Sequence, residues 1–131
     1  MEPERIEEYF SNGSSFSQET TLCGKSILRN ITRAKESGYT IELWYVGLGS
    51  SEIAKERVKH RMLNGGHGVS DEDIERRYSE SMHNLKYVLT QCNMATIFDN
   101  TTKLTRIATF KKGKCEWKAK TLPQWYKQLD L

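Results

Sequence analysis

Two prolines, three cysteines and no apolar run near the ~20 residues of a membrane-spanning helix set the first limits on this sequence. So little proline excludes a proline-rich spacer. A hydrophobic fraction of 37% is too high for a chain that stays unfolded for want of a core. Cys23, Cys92 and Cys115 are odd in number, far apart and free of C-x-x-C spacing, which argues against a disulfide framework and a zinc site. Reduced thiols are expected. No grouping of His, Cys and Asp has metal-ligand spacing, so no metal site is read from these residues. The start Met1-Glu2-Pro3-Glu4-Arg5 lacks the basic-then-apolar order of a secretion signal, and the expectation is a cytoplasmic protein. There is no internal repeat and no low-complexity linker.

A glycine-rich phosphate loop is also missing. Gly24-Lys25-Ser26 resembles the end of a Walker A motif, but G-x-x-x-x-G-K-[ST] needs glycine at position 19, where Glu19 stands. Cys23 precedes the group in place of a glycine-rich turn, and we reject it as a P-loop.

What is present fits one domain over residues 1–131, long enough to bury roughly two thirds of its unfolded surface. The net charge of +3 says less than its distribution. Basic residues gather from Lys55 to Arg61, at Arg76-Arg77, and along the tail from Lys103 to Lys120.

Apolar spacing and glycine punctuation predict the elements. Pro3 to Phe10 reads as a short helix, and Ser15 to Thr20 as a short strand entering a polar turn. Ile27, Leu28, Ile31 and Ala34 predict an amphipathic helix over Lys25 to Ser37, capped by Gly38. Tyr39 to Leu48 is nearly continuous in apolar residues and reads as a strand buried on both faces. Ser50 or Ser51 opens a helix from Glu52 to Leu63. Ser70 with Asp73 opens another that runs to about Gln91. A strand over Met94 to Phe98, a hairpin over Leu104 to Trp117 turning at Lys112-Gly113, and a helix over Leu122 to Leu129 complete the chain. Alternating strands and crossover-length helices imply an α/β parallel sheet covered by helices, with ligands at the carboxyl ends of the strands. Those ends are Glu19-Thr20-Thr21, Gly47-Leu48-Gly49-Ser50 and Asp99-Asn100-Thr101.

Two groups of residues could carry chemistry. Glu19 and Thr21 place a carboxylate and a hydroxyl on one side of an extended segment, suited to the hydroxyls of a polar substrate; a turn that caps the following helix also accounts for them. Arg57 and Arg61 lie one turn apart on one helix, and Arg76 and Arg77 lie beyond the glycine hinge Asn64-Gly65-Gly66-His67-Gly68. Guanidinium groups converging from two helices suit phosphoryl oxygens, and two helices joined by glycines have the anatomy of a lid. The plainer reading is a solvated helix face with Glu52, Glu56 and Glu75 as partners. His67 fits either a phosphate contact or a simple turn; His60 and His83 read as helix-surface residues.

Together, Phe16-Ser17-Gln18-Glu19-Thr20-Thr21-Leu22, Val46-Gly47-Leu48, Ala54-Lys55-Glu56-Arg57-Val58 with Arg61, Gly65-Gly66-His67-Gly68-Val69, Ile74-Glu75-Arg76-Arg77-Tyr78, Asn84-Leu85 and Phe98-Asp99-Asn100-Thr101 resemble the bacterial zeta-toxin-like kinases, over roughly Arg5 to Phe110. The resemblance implies part of a P-loop kinase fold with a helical lid, residues 111–131 forming a C-terminal appendage with the β-hairpin. It also implies a kinase that uses ATP and Mg²⁺ to phosphorylate a hydroxyl, such as that of a UDP-activated amino sugar, within a toxin–antitoxin pair. By position, Glu19 and Thr21 then fall at the substrate, Arg57 or Arg61 at the ATP phosphates, and Arg76 and Arg77 in the lid. Cys23 stands where the toxins carry a basic residue.

The family's first strand, Walker A lysine and proposed catalytic aspartate all precede the matched region. No catalytic residue is therefore assigned, and the chain alone is expected to be an inefficient kinase. The alternative is a non-catalytic interaction module, or half of a split kinase, that binds a protein partner or itself through an uncovered sheet edge. Nucleic-acid binding through the basic tail with Trp117, Trp125 and Tyr126 is a weaker reading than a solvated hairpin.

Overall fold

The computed structural model describes residues 22–63, 65 and 69–131. The helix expected over Pro3 to Phe10, the strand over Ser15 to Thr20, and the residues Glu19, Thr21 and His67 lie outside the described residues. The elements run α1 (Gly24–Glu36), β1 (Glu42–Gly47), α2 (Ser51–Leu63), α3 (Asp71–Gln91), β2 (Met94–Asp99), β3 (Thr105–Lys111), β4 (Lys114–Lys118) and α4 (Gln124–Lys127).

Local signals in the sequence account for most boundaries. α1 stops where Gly38 takes φ +82°, a left-handed conformation that glycine adopts without Cβ strain. There Gly38 N–H donates to Lys35 O at 3.1 Å and Tyr39 N–H to Ala34 O at 3.0 Å, satisfying carbonyls at the helix end. Ser50 Oγ accepts from Ile53 N–H at 3.3 Å at the start of α2, and Ser70 Oγ accepts from Asp73 N–H at 3.2 Å at the start of α3. The β3–β4 turn places Lys112 at φ 51° and Gly113 at φ 80°, the paired positive values of a two-residue turn whose twist suits a hairpin.

The four strands form one sheet in the order β1-β2-β3-β4. β1 and β2 are parallel, joined through α2 and α3, whereas β2–β3 and β3–β4 are antiparallel. The sheet is thus mixed, and the expected parallel arrangement holds for one pair. Short connections force the other two pairs to reverse direction, since a parallel return needs a crossover of a dozen or more residues.

The core lies on one face of the sheet. Leu85, Val88 and Leu89 of α3 meet Tyr45, Ala95, Ile97, Ala108 and Phe110 from the strands, and Trp125, Tyr126 and Leu129 close one end. Each fully buried Leu or Val adds about 1.5–3 kcal/mol relative to exposure. On β1 the burial alternates: Tyr45 and Gly47 are buried, while Trp44 is 71% exposed and Val46 49%. The expectation that this strand is buried on both faces is therefore corrected. The core residues of α1, α3 and α4 all meet one face of the sheet, so the continuous apolar run serves a half-covered strand. Trp125 and Tyr126 are buried at 4% and 3% exposure, which removes them as stacking platforms; Trp117 remains exposed.

Among the described residues, no helix is long and apolar enough to cross a membrane.

Candidate functional site

The carboxyl ends of β1 and β2 lie side by side, with Val46 opposite Phe98 and Gly47 opposite Asp99. Asn100 N–H donates to Gly47 O at 2.9 Å, extending the pairing by one step. Two of the three polar strand ends singled out in the sequence, Gly47-Leu48-Gly49-Ser50 and Asp99-Asn100-Thr101, are thereby brought together. The third, Glu19-Thr20-Thr21, lies outside the described residues.

Two close approaches explain the glycines. A Cβ on Gly47 would sit 2.4 Å from the Trp125 ring, a separation that real Cβ atoms do not show, so the indole lies against bare backbone. At Gly49 a Cβ would meet Thr101 Oγ1 at 3.1 Å. Asp99 ties this end together: its Oδ1 accepts from Trp125 Nε1–H at 3.0 Å and from Thr101 Oγ1–H at 2.6 Å.

The four arginines behave differently from one another. Arg57, half-buried, donates through Nη2 to the carbonyl oxygens of Asn100 at 2.5 Å and Thr101 at 3.0 Å. It fastens α2 to the end of β2, and that nitrogen is committed to the backbone. Arg61, one turn on, is exposed and shares a shallow depression of about 540 Å³ with Glu56, Arg57 and His60. Arg76 is ion-paired to Asp73 at 3.5 Å and Glu80 at 3.4 Å, and these carboxylates, Glu80 foremost, hold its pKa above the usual arginine value. Arg77 is exposed at its side chain, while its carbonyl accepts from Cys23 Sγ–H at 3.1 Å. Arg57 is thus anchored to the end of β2 and Arg76 to acids of its own helix, while the side chains of Arg61 and Arg77 are exposed. The charge that joins α2 to α3 is Lys55, held between Glu75 and Glu52 and raised in pKa chiefly by the hydrogen bond to Glu75.

Gly24-Lys25-Ser26 opens α1, and Gly24 N–H donates to the Glu80 carboxylate at 3.2 Å. An acidic side chain fills the anion position at this helix start. Beneath it, buried Asn84 donates to Leu22 O at 2.8 Å and Gly24 O at 3.4 Å, fixing the entry to α1.

Tyr78 is given no role in the sequence reading beyond its place in the segment Ile74-Glu75-Arg76-Arg77-Tyr78, yet it sits at the strand ends. Its hydroxyl donates to Leu48 O at 2.8 Å, and its pKa is raised by burial and then by the charge of Asp99. The helical spacing Ile74, Tyr78, Met82, Leu85 was the available signal, since it puts Tyr78 on the inner face of α3. Trp125 enters the sequence reading only within the helix over Leu122 to Leu129 and the weaker nucleic-acid reading, because a single-turn helix offers too few residues to show a face. Among the described residues no group of three or more His, Cys, Asp or Glu could hold a metal ion.

An "Uncharacterized protein" of Haemophilus influenzae is 38% identical to this chain over 63 residues, which are 48% of this chain and 45% of that protein. The chain thus spans less than half the length of this relative. No family model matches the chain, and no solved structure matches it.

Proposed function

We propose that the chain carries part of a phosphotransferase site of the zeta-toxin-like kind, in which the adjacent carboxyl ends of β1 and β2 frame an ATP-dependent transfer to a small-molecule hydroxyl. The observation that carries this reading is the parallel pairing that sets Gly47-Leu48-Gly49-Ser50 beside Asp99-Asn100-Thr101, because open α/β sheets bind ligands at the carboxyl ends of parallel strands. The family resemblance supplies the reaction class.

Within this reading the arginines divide their work. Arg57 is a positioning residue, with Nη2 turned to the backbone carbonyls of Asn100 and Thr101. Arg61 and Arg77 are exposed and suit phosphoryl oxygens better, whereas Arg76 has first to leave Asp73 and Glu80. Glu19 and Thr21 are the proposed substrate contacts, by resemblance.

ATP and Mg²⁺ are the implied ligand and cofactor. The 131 residues contain no phosphate-binding loop, so the lysine and most of the Mg²⁺ and backbone contacts to the phosphates have to come from outside them. Asp99 is the carboxylate at the strand ends that could face a hydrated Mg²⁺, and its Oδ1 is already shared between two donors.

The test is a calorimetric titration of the chain with MgATP, alongside an Arg61→Ala/Arg76→Ala variant. The proposal expects saturable binding that the variant loses. No heat up to millimolar ATP would overturn the reading for this chain on its own.

A further inference from the structure

The face of the sheet opposite the core carries a self-complementary pattern. The strand registers align Trp44, Thr96, Thr109 and Trp117 in one row across all four strands. The row beside it runs Glu42, Met94, Lys111, Lys114, and the row on the other side runs Val46, Phe98, Arg106. Bulges between Ile97 and Phe98 and between Thr109 and Phe110 preserve this alternation, and Arg106 lies over the Trp117 ring at 5.2 Å, on the same face. Trp44, Val46, Met94 and Trp117 are all exposed there, at 71%, 49%, 53% and 44%. A parallel strand pair is ordinarily covered on both faces, and contiguous apolar surface of this kind marks an interaction site.

We propose that a second copy of this chain covers the face, with the twofold axis running along the strands. That operation keeps each row at its own height and lays β1 of one copy over β4 of the other. Glu42 then faces Lys114, Trp44 faces Trp117, Phe98 faces Arg106, and Thr96 faces Thr109. Glu42 stands at one edge of its row and Lys114 at the other, with Met94 facing Lys111 between them, so the match arises from one surface used twice, as a twofold interface requires.

A single-stranded polyanion stacking on both tryptophans would meet an acid at Trp44, although Lys111, Lys114 and Arg106 share the face. Trp44 Nε1–H donates to the Glu42 carboxylate at 2.8 Å, which puts negative charge beside one of the two rings. Six-residue strands spanning about 20 Å and four strands spanning roughly 15–20 Å give a face of roughly 400 Å² in plane. A face of this size is at the small end for a stable interface, so a weak, concentration-dependent dimer is expected.

This inference is independent of the phosphotransferase reading. It is tested by sedimentation velocity between about 1 and 200 µM on the wild-type chain, Trp44→Ser/Trp117→Ser, Glu42→Lys, Lys114→Glu and the double exchange Glu42→Lys/Lys114→Glu. Urea unfolding of each variant controls for folding; all four positions are exposed, so their midpoints should stay near wild type. The expected result is a concentration-dependent dimer, weakened at least about tenfold by loss of the two rings. Each single charge reversal should weaken it, and the double exchange should restore it. A monomer at 200 µM, or a dimer indifferent to the tryptophans, overturns the proposal. So does restoration failing in the double exchange, or quenching of Trp44 and Trp117 by a 12-nucleotide oligothymidine at low micromolar concentration, which would make nucleic acid the occupant.

Discussion

Replacing Gly47 by alanine probes the point on which the strand ends depend. The added Cβ would lie 2.4 Å from two atoms of the Trp125 six-membered ring, about 1 Å inside ordinary contact. Neither side yields easily: Gly47 is paired with Asp99 in the sheet, and Trp125 is buried with Nε1–H bonded to Asp99 Oδ1. Overpacking of this kind costs about 1–3 kcal/mol, and a hydrogen bond to a charged acceptor contributes about 1.5–3 kcal/mol if the indole swings away. Alanine recovers about 0.5–1 kcal/mol of backbone entropy relative to glycine. The net expectation is a loss of about 2–3 kcal/mol, or roughly 8 °C in melting temperature for a domain of this size. Urea unfolding followed by tryptophan fluorescence reads both the midpoint and the displacement of the buried indole. In a Trp125→Leu background the same Gly47→Ala change should cost less than about 0.5 kcal/mol, a coupling near 2 kcal/mol. Equal costs in the two backgrounds would refute the contact.

Other outcomes follow from the same structure. Arg57→Ala should lower stability by about 1–2 kcal/mol in urea, because it strands the Asn100 and Thr101 carbonyls, whereas Arg61→Ala, at an exposed position, should change it by less than about 0.5 kcal/mol. In a Cys23→Ser background, a thiol reagent at pH 8 should label exposed Cys115 promptly and Cys92 only in denaturant, since burial encloses Cys92 and pushes its pKa up to about 11. Among the described residues the buried Tyr126 hydroxyl meets only the weakly bonding Cys115 thiol, and its pKa is pushed up to about 12, mainly by burial. The unfolded phenol ionises near 10, so from about pH 10 to 12 the unfolded state gains stability that the folded state does not. Tyr126→Phe should equal or exceed wild-type stability at pH 7, and its advantage should widen over that alkaline window.

Much of the fold was legible because local signals coincide with what the structure uses. Gly38, Ser50, Ser70 and the Lys112-Gly113 turn each mark a boundary through backbone geometry that adjacent residues decide. Burial of β1 was not legible. The run Tyr39 to Leu48 has the composition of a central strand, and which face is covered depends on where distant helices pack. The site was legible as strand ends but not as contacts. Sequence spacing put Arg57 and Arg61 on one helix face; only the fold turns Arg57 toward Asn100 and Thr101 and gives Arg76 to Glu80. Gly47 and Trp125 are 78 positions apart, beyond the reach of any local pattern.

The claim that the joined ends of β1 and β2 form a ligand site is tested most directly by a ¹⁵N-resolved NMR titration with MgATP. The account predicts saturable shifts at the amides of Gly47 to Ser50 and Asn100 to Thr101, with smaller changes along α2 near Arg61. Shifts that saturate elsewhere, or none at these amides up to millimolar nucleotide, would contradict it.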